Sequence, residues 1–248
     1  MPPLTAPAPY HFERCEKKYF LTSDQQEALL KRMQPYMQAD RYGRYSIGNI
    51  YYDTPNWQLI RASIEKPAYK EKLRVRCYGV PTENSPVFVE LKKKCAGVVF
   101  KRRITTELCR AAPFLQGGAA QPDWGQTGRE IEWFQQFWHT VPKMFIGYDR
   151  TAYAGREDPS LRITFDTAIR WRKTELELSR GGWGRLLLPP DQVLMELKLT
   201  RACPLWLCRL LSELALYPTS FSKYGACYRQ MMLTADPDPL TKEAYFCA

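Results

Sequence analysis

The sequence predicts an α+β domain in which antiparallel strands predominate and one face of the sheet is cationic. Three observations carry that expectation. Charged and apolar residues alternate at two-residue spacing in Lys72-Leu73-Arg74-Val75-Arg76-Cys77, Val89-Glu90-Leu91-Lys92, Leu161-Arg162-Ile163-Thr164-Phe165-Asp166 and Met195-Glu196-Leu197-Lys198, and side chains alternate across a strand. Short Gly-, Pro- and Asn-containing connections separate such segments, as in a meander. The 248 residues, 45% hydrophobic, suit one large domain or two small ones, and no internal repeat or long linker divides them.

Taken in order, Phe12 to Leu21 reads as a strand, and Ser23 opens a helix through a capping box with Gln26. The apolar stripe of that helix includes Leu29, Leu30, Met33 and Met37. Tyr45 to Asp53 is a strand ended by Thr54-Pro55-Asn56, and a short helix follows through Trp57 to Ile64. The strands Lys72 to Tyr78, Val87 to Lys94 and Val98 to Glu107 then succeed one another. Gly117 to Thr127 is loop-like. Arg129 to His139 places Ile131, Phe134 and Trp138 on one helical face with Trp133 and Phe137 beside it, a face expected in the core. Two strands, Lys143 to Tyr153 and Leu161 to Lys173, flank a Gly/Asp/Pro turn, and a Gly181-Gly182 loop leads to a strand at Val193 to Leu199. Pro204 suits the first turn of an apolar helix ending near Tyr217. Phe221 to Met232 reads as a last helix, starting at Ser220 or Ser222 with Lys223 in its first turn. Residues 1–10 read as a disordered Pro-rich tail, 11–232 as a single domain and 233–248 as a C-terminal tail.

A net charge of +10 favours an acidic ligand, nucleic acid or a membrane surface as partner. His11 and His139 are the only histidines and neither sits in a triad-like setting, which argues against Ser-His-Asp or Cys-His catalysis. The eight cysteines form no Cys-x-x-Cys pair, so neither zinc nor a disulfide framework is expected. Free thiols on apolar faces suit a reducing compartment, and the expected location is cytoplasmic. Met1 to Pro9 lacks the pattern of a signal peptide, and no run approaches the roughly 18 apolar residues of a membrane span.

The cationic face has a bland reading, the wet side of an ordinary antiparallel sheet. Like charges opposite one another destabilise a sheet by some tenths of a kcal/mol per pair. A chain that keeps so many is expected to hold a polyanion between them.

Phe12-Glu13-Arg14 with Lys18-Tyr19, Tyr51-Tyr52-Asp53-Thr54, Leu73 to Gly79, Val89 to Lys92, Tyr148-Asp149-Arg150-Thr151-Ala152-Tyr153, Met195 to Lys198 and Ser222-Lys223-Tyr224 occur in one order along nearly the whole chain. In that order they resemble the polyphosphate polymerase domain of the vacuolar transporter chaperone (VTC) family, within the triphosphate tunnel metalloenzymes. The resemblance implies an antiparallel β-barrel with a charged lumen and flanking helices, which turns the cationic face into a tunnel lining. It implies transfer of the ATP γ-phosphate to a growing polyphosphate chain with release of ADP, using Mn²⁺ or Mg²⁺. Carried over motif by motif, the phosphate ligands are Lys18, Arg74, Arg76, Lys92, Lys101, Arg150, Lys198 and Lys223, with Arg74, Arg76, Lys92 and Arg150 closest to the chemistry. Glu196 is the principal metal ligand, with Glu13 and Glu90 as secondary candidates.

Glu13 and Glu90 have an equally weighted reading as partners that keep the lumen charge tolerable. Lys17, Lys93, Lys94, Arg102 and Arg103 read as surface charge, although Lys94 and Arg103 share the lumen parity. Tyr19, Tyr52 and Tyr78 read as packing residues rather than base platforms. The expected partners are ATP and polyphosphate rather than nucleic acid. Eukaryotic vacuolar members also carry an inositol-phosphate sensor and membrane spans, neither seen in this sequence, so a separate membrane protein is the partner that the resemblance would leave to receive product. Two other functions stay open: an inorganic or nucleoside triphosphatase of the same fold, and a non-catalytic polyanion binder. The stretch Glu13 to Lys18 lacks the Glu-x-Glu-x-Lys spacing of the hydrolase branch, and a binder would not need Glu196 amid basic residues.

Overall fold

The alternating segments become strands of one antiparallel sheet. The computed structural model describes residues 15–96, 98–200 and 202–234. Its strands are β1 (Cys15–Thr22), β2 (Met37–Asp53), β3 (Tyr69–Tyr78), β4 (Pro86–Cys95), β5 (Val98–Glu107), β6 (Val141–Gly155), β7 (Arg162–Arg172), the short β8 (Arg185–Leu186) and β9 (Gln192–Leu199). The order across the sheet is β1-β9-β7-β6-β2-β3-β4-β5, with β8 beside β7. The helices are α1 (Ser23–Met33), α2 (Gln58–Ile64), α3 (Leu108–Leu115), α4 (Gly125–Trp138), α5 (Leu205–Glu213) and α6 (Lys223–Leu233).

Parity decides which side each residue takes. The convex face is apolar and carries two clusters. Leu73, Val75, Val89 and Leu91 pack against Phe114 of α3 and Ile131 and Phe134 of α4. Tyr19, Leu21, Ile163, Phe165, Met195 and Leu197 pack with Leu29 of α1 and Leu207, Leu210 and Leu211 of α5. Each fully buried Leu, Ile or Phe contributes about 1.5–3 kcal/mol. The concave face is charged over part of its length, and elsewhere Ile47, Met144, Ile146 and Trp171 meet Trp57 and Ile60 at α2 and Tyr224, Cys227 and Tyr228 of α6. One sheet thus has helices on both sides.

The sheet curls without a ladder between its two ends. The segment before α6 bridges that seam: Thr219 pairs with Lys18 of β1, and Ser222 Oγ accepts from Lys72 Nζ of β3 at 3.1 Å. The expected antiparallel sheet with charged interior and flanking helices is therefore present, closed by a chain segment where a complete barrel would have a strand pair.

Local differences have local causes. Helix α1 is capped by Thr22 and Gln25, whose amide and side chain exchange bonds of 3.2 and 3.0 Å, one residue earlier than Ser23 and Gln26. Both registers offer a hydroxyl followed by a glutamine, and only the folded chain chooses between them. Met37 belongs to β2, because α1 ends at Met33. Helix α3 had no counterpart in the sequence reading, being short and interrupted by Pro113, and α5 ends at Glu213 rather than near Tyr217. On α4, Ile131 and Phe134 are buried as expected, whereas Trp133 and Phe137 stack on each other in solvent, 4.9 Å between centroids.

Candidate active site

Strand register sets the concave charges in rows. Lys72, Lys92 and Lys101 stand directly opposite one another across β3, β4 and β5. In the next row, two residues along, Arg74, Glu90 and Arg103 do the same. Glu90 offsets part of the charge of the second row. Glu90, 1% exposed, accepts from Arg74 Nε at 2.8 Å and Arg103 Nε at 2.8 Å, and Lys101 Nζ lies 2.6 Å from it. Burial would raise this carboxyl, but Arg74, Arg76 and Lys101 hold it well below the usual range. Both its oxygens are engaged, so of its two readings the charge-balancing one matches the geometry.

The first row has no carboxylate of its own. Lys72 is partly buried, and desolvation together with Lys70, Lys92, Lys18 and Arg74 pushes its ammonium down to about 7. It lines a cavity of about 780 Å³ with Lys17, Lys18, Lys70, Lys92 and Lys94, where Glu16 is the one lining carboxylate among the described residues. Lys18 donates to the Phe221 carbonyl at 2.7 Å, and burial lowers its pKa against the opposing pull of Glu196. So many ammonium groups facing one space repel unless an anion lies between them.

Deeper in, β6, β7, β9 and α6 assemble a second constellation. Arg150 donates through Nε and Nη2 to both oxygens of Asp166 at 2.6 and 2.7 Å, and through Nη2 to Glu196 Oε2 at 3.2 Å. Lys223 donates to Glu196 Oε1 at 3.0 Å and lies 2.6 Å from Asp166 Oδ2. Ser222 places Lys223 there by capping α6, its hydroxyl accepting from the Gly225 amide at 3.2 Å. Burial opposes the charge on Glu196, yet Lys223, Arg150, Lys18 and Lys198 hold it ionised, well below the usual carboxylate range. Tyr148 joins the two constellations. Its ring lies under Arg150 and Lys223, at 5.2 and 4.6 Å, and its hydroxyl accepts from Arg76, whose Nε is fixed by Asn49 at 3.0 Å. Despite burial the phenol is lowered by Arg76, Arg150 and Lys223.

Of the residues singled out from sequence, Lys18, Arg74, Arg76, Lys92, Lys101, Arg150, Glu196 and Lys223 come together on this face. Lys198 lies one step outward from Glu196, opposite Glu16 and Arg162. Glu13 lies outside the described residues. Lys93 and Arg102 sit on the convex side, bridged to Glu130 of α4 at 2.6 and 3.1 Å, while Lys94 lines the cavity. Asp166 was missed. Its alternation with Thr164 was visible, but the contacts that distinguish it come from β6 and α6. Lys72 was seen as charge yet not as a ligand.

A divalent cation tests the same donors. Among the described residues no three His, Cys, Asp or Glu side chains converge on one point. Mg²⁺ on phosphorylated substrates commonly uses one or two protein carboxylates plus substrate oxygens, and Glu196, ionised and beside Asp166, fits that smaller demand. The arrangement can therefore hold a chain of phosphate oxygens on Arg and Lys donors, and a hard cation on the remaining lone pairs of Glu196, whose two oxygens each already accept one charged donor, Lys223 or Arg150.

The model of the VTC domain family matches residues 13–232. No curated protein matches the sequence. Solved structures share the fold, two of them as follows. A candidate adenylyl cyclase from Hippeastrum, described as having a dominant triphosphatase activity, is 16% identical with a TM-score of 0.51, over 87% of this chain and 94% of that one. A candidate adenylate cyclase from Bacillus halodurans is 10% identical with a TM-score of 0.51, over 84% and 92%.

Proposed function

Because the chain belongs to the VTC domain family, we propose that it is a divalent-metal-dependent polyphosphate polymerase that transfers the ATP γ-phosphate to a growing polyphosphate chain and releases ADP. The observation that carries this reading is the juxtaposition of a Lys72-Lys92-Lys101 row, in which Lys101 alone has a carboxylate partner among the described residues, with a buried, ionised Glu196 held by Arg150 and Lys223. A binder of polyanions alone gains from the lysines and loses from the carboxylate. Phosphoryl transfer with a metal uses both.

Its transition state is loose and rich in charge, so positioning and electrostatic stabilisation dominate, and no side-chain nucleophile is needed. A terminal polyphosphate oxygen forms the new bond to the γ-phosphorus as the bond to the β,γ-bridging oxygen breaks, and ADP leaves with that electron pair. Arg74, Arg76 and Arg150 supply forked donors for equatorial oxygens. Lys18, Lys72, Lys92 and Lys101 supply point charges along the polymer, and Lys223 keeps Glu196 ionised and oriented. Mg²⁺ or Mn²⁺ held by Glu196 would add positive charge against the phosphate oxygens. Tyr148, tied to Arg76 and packed under Arg150, positions both guanidinium groups.

The test is incubation of purified protein with ATP and Mn²⁺, following ADP, free phosphate and polymer length. ADP with long polymer is the expected result. ADP with stoichiometric phosphate would replace this reading with a triphosphatase, and tight polyphosphate binding without turnover would replace it with a binder.

A further inference from the structure

Four aromatic rings run edge to face across the end of the concave face at which Arg76 lies. Tyr42 and Tyr45 have centroids 6.1 Å apart, Tyr45 and Tyr78 5.7 Å, and Tyr78 and Phe88 5.6 Å. Parity places three of them inside. Tyr78 is two residues beyond Arg76 on β3, Phe88 two before Glu90 on β4, and Tyr45 two before Ile47, whose side chain belongs to the concave cluster. The row also touches the charged lining. Arg103 lies over the Phe88 ring at 4.8 Å, and Tyr45 stands opposite Arg150 in the β2–β6 register.

Edge-to-face packing covers one ring face in each pair and leaves others open, and here Tyr78 is 48% and Tyr42 63% exposed, the Tyr42 ring with the Arg41 guanidinium over it at 4.8 Å. Large aromatics left this open beside a phosphate-binding lining are unusual unless another flat group covers them. The exposed pair Trp133–Phe137 on α4 differs on both counts, since its rings cover each other and it lies on the convex side. Two strand residues, about 7 Å of backbone, separate Arg76 from Tyr78, the span of a sugar and its first phosphate.

We propose that the Tyr42-Tyr45-Tyr78-Phe88 row is the platform for the nucleobase of a nucleoside triphosphate whose phosphates run inward to Arg76 and Arg150. The assignment rests on the triphosphate reading of the lining given above. Stacking on π-faces reads every base alike, so ATP and GTP are accepted alike, and inorganic triphosphate gains nothing from the row.

The test is titration of the full chain with ATP, GTP and inorganic tripolyphosphate, each with Mg²⁺ at one ionic strength. Tyr78→Ala is expected to weaken ATP and GTP by about ten-fold, the low end of base–aromatic stacking, with tripolyphosphate unchanged. Tyr78→Phe should keep all three affinities, and Tyr42→Ala should repeat the Tyr78→Ala pattern more weakly. Unaltered tripolyphosphate binding also reports that the variants fold. Equal loss for all three ligands, or no loss, overturns the platform while leaving the tunnel reading intact. Wild-type protein that binds none of the three overturns both.

Discussion

Lys72 and Lys92 face each other directly across the β3–β4 ladder, with Lys101 facing Lys92 from the other side. Such a row costs stability in the free protein and gains it back when an anion enters. Proton linkage makes that exchange measurable.

The Lys72 ammonium, pushed down to about 7 by burial and by its cationic neighbours, is mostly neutral at pH 8 in the free protein and regains its proton beside a bound polyanion. Polyphosphate affinity should therefore be flat below pH 7 and fall as pH rises above it. Lys70 and Lys18, lowered in the same direction, add to the slope. Calorimetry at pH 8 in buffers of different ionisation enthalpy should show proton uptake on binding, reduced in Lys72→Met. Folding has the opposite slope. The unfolded state binds this proton more tightly, so the ligand-free protein should gain stability between about pH 7 and 10.5, readable as a rising urea midpoint. A flat midpoint, or binding that strengthens over the same window, would contradict the assignment.

Glu196→Gln removes the carboxylate while keeping its shape. Metal-dependent turnover should drop on the order of 100-fold or more, the scale of losing one electrostatic element of such a site, while polyphosphate binding without metal persists. Full activity in this variant would show that the metal is held elsewhere.

Glu90→Gln separates charge balance from metal binding. As the partner of Arg74, Arg103 and Lys101, its loss should destabilise the free protein by about 3 kcal/mol, the low end for a broken buried pair because Lys101 and Arg103 remain solvent-reachable. Added tripolyphosphate should restore the urea midpoint, and turnover should keep its metal dependence. Loss of that dependence would reinstate Glu90 as a ligand.

Asp166→Asn tests the deepest ion pair. With 0% exposure and both oxygens held by Arg150 and Lys223, this carboxylate should cost about 3–5 kcal/mol when neutralised. An exposed control, Glu213→Gln, should fall within about 1 kcal/mol of wild type in the same unfolding series.

Much of this was legible in the sequence because strand parity is a local property. Leu73 and Arg74 had to face opposite ways, and the motif order identified the rows to which Arg74, Arg76, Lys92 and Glu196 belong. Which cation meets which anion was not legible. Arg103 carried the right parity, but its engagement with Glu90 depends on the β4–β5 register, and Asp166 acquires its role only where β6, β7 and α6 converge. Tyr78 read as a packing residue because exposure at the end of a strand leaves no trace in alternation. The shift of the first helix cap from Ser23 to Thr22 reflects two overlapping signals of equal chemistry.

Lys18 on β1 lies opposite Glu196 on β9, and Glu196 in turn is held by Lys223 on α6. The constellation therefore joins residues from nearly opposite ends of the described chain. Loop closure over such separations is slow and comes late. The β3–β4–β5 meander and the β6–β7 hairpin can form from local contacts first, so a refolding chain should regain much of its secondary structure before it regains any anion-binding capacity. Catalytic competence would then mark the final folding event, and a polyanion in solution would serve as a template for that last closure.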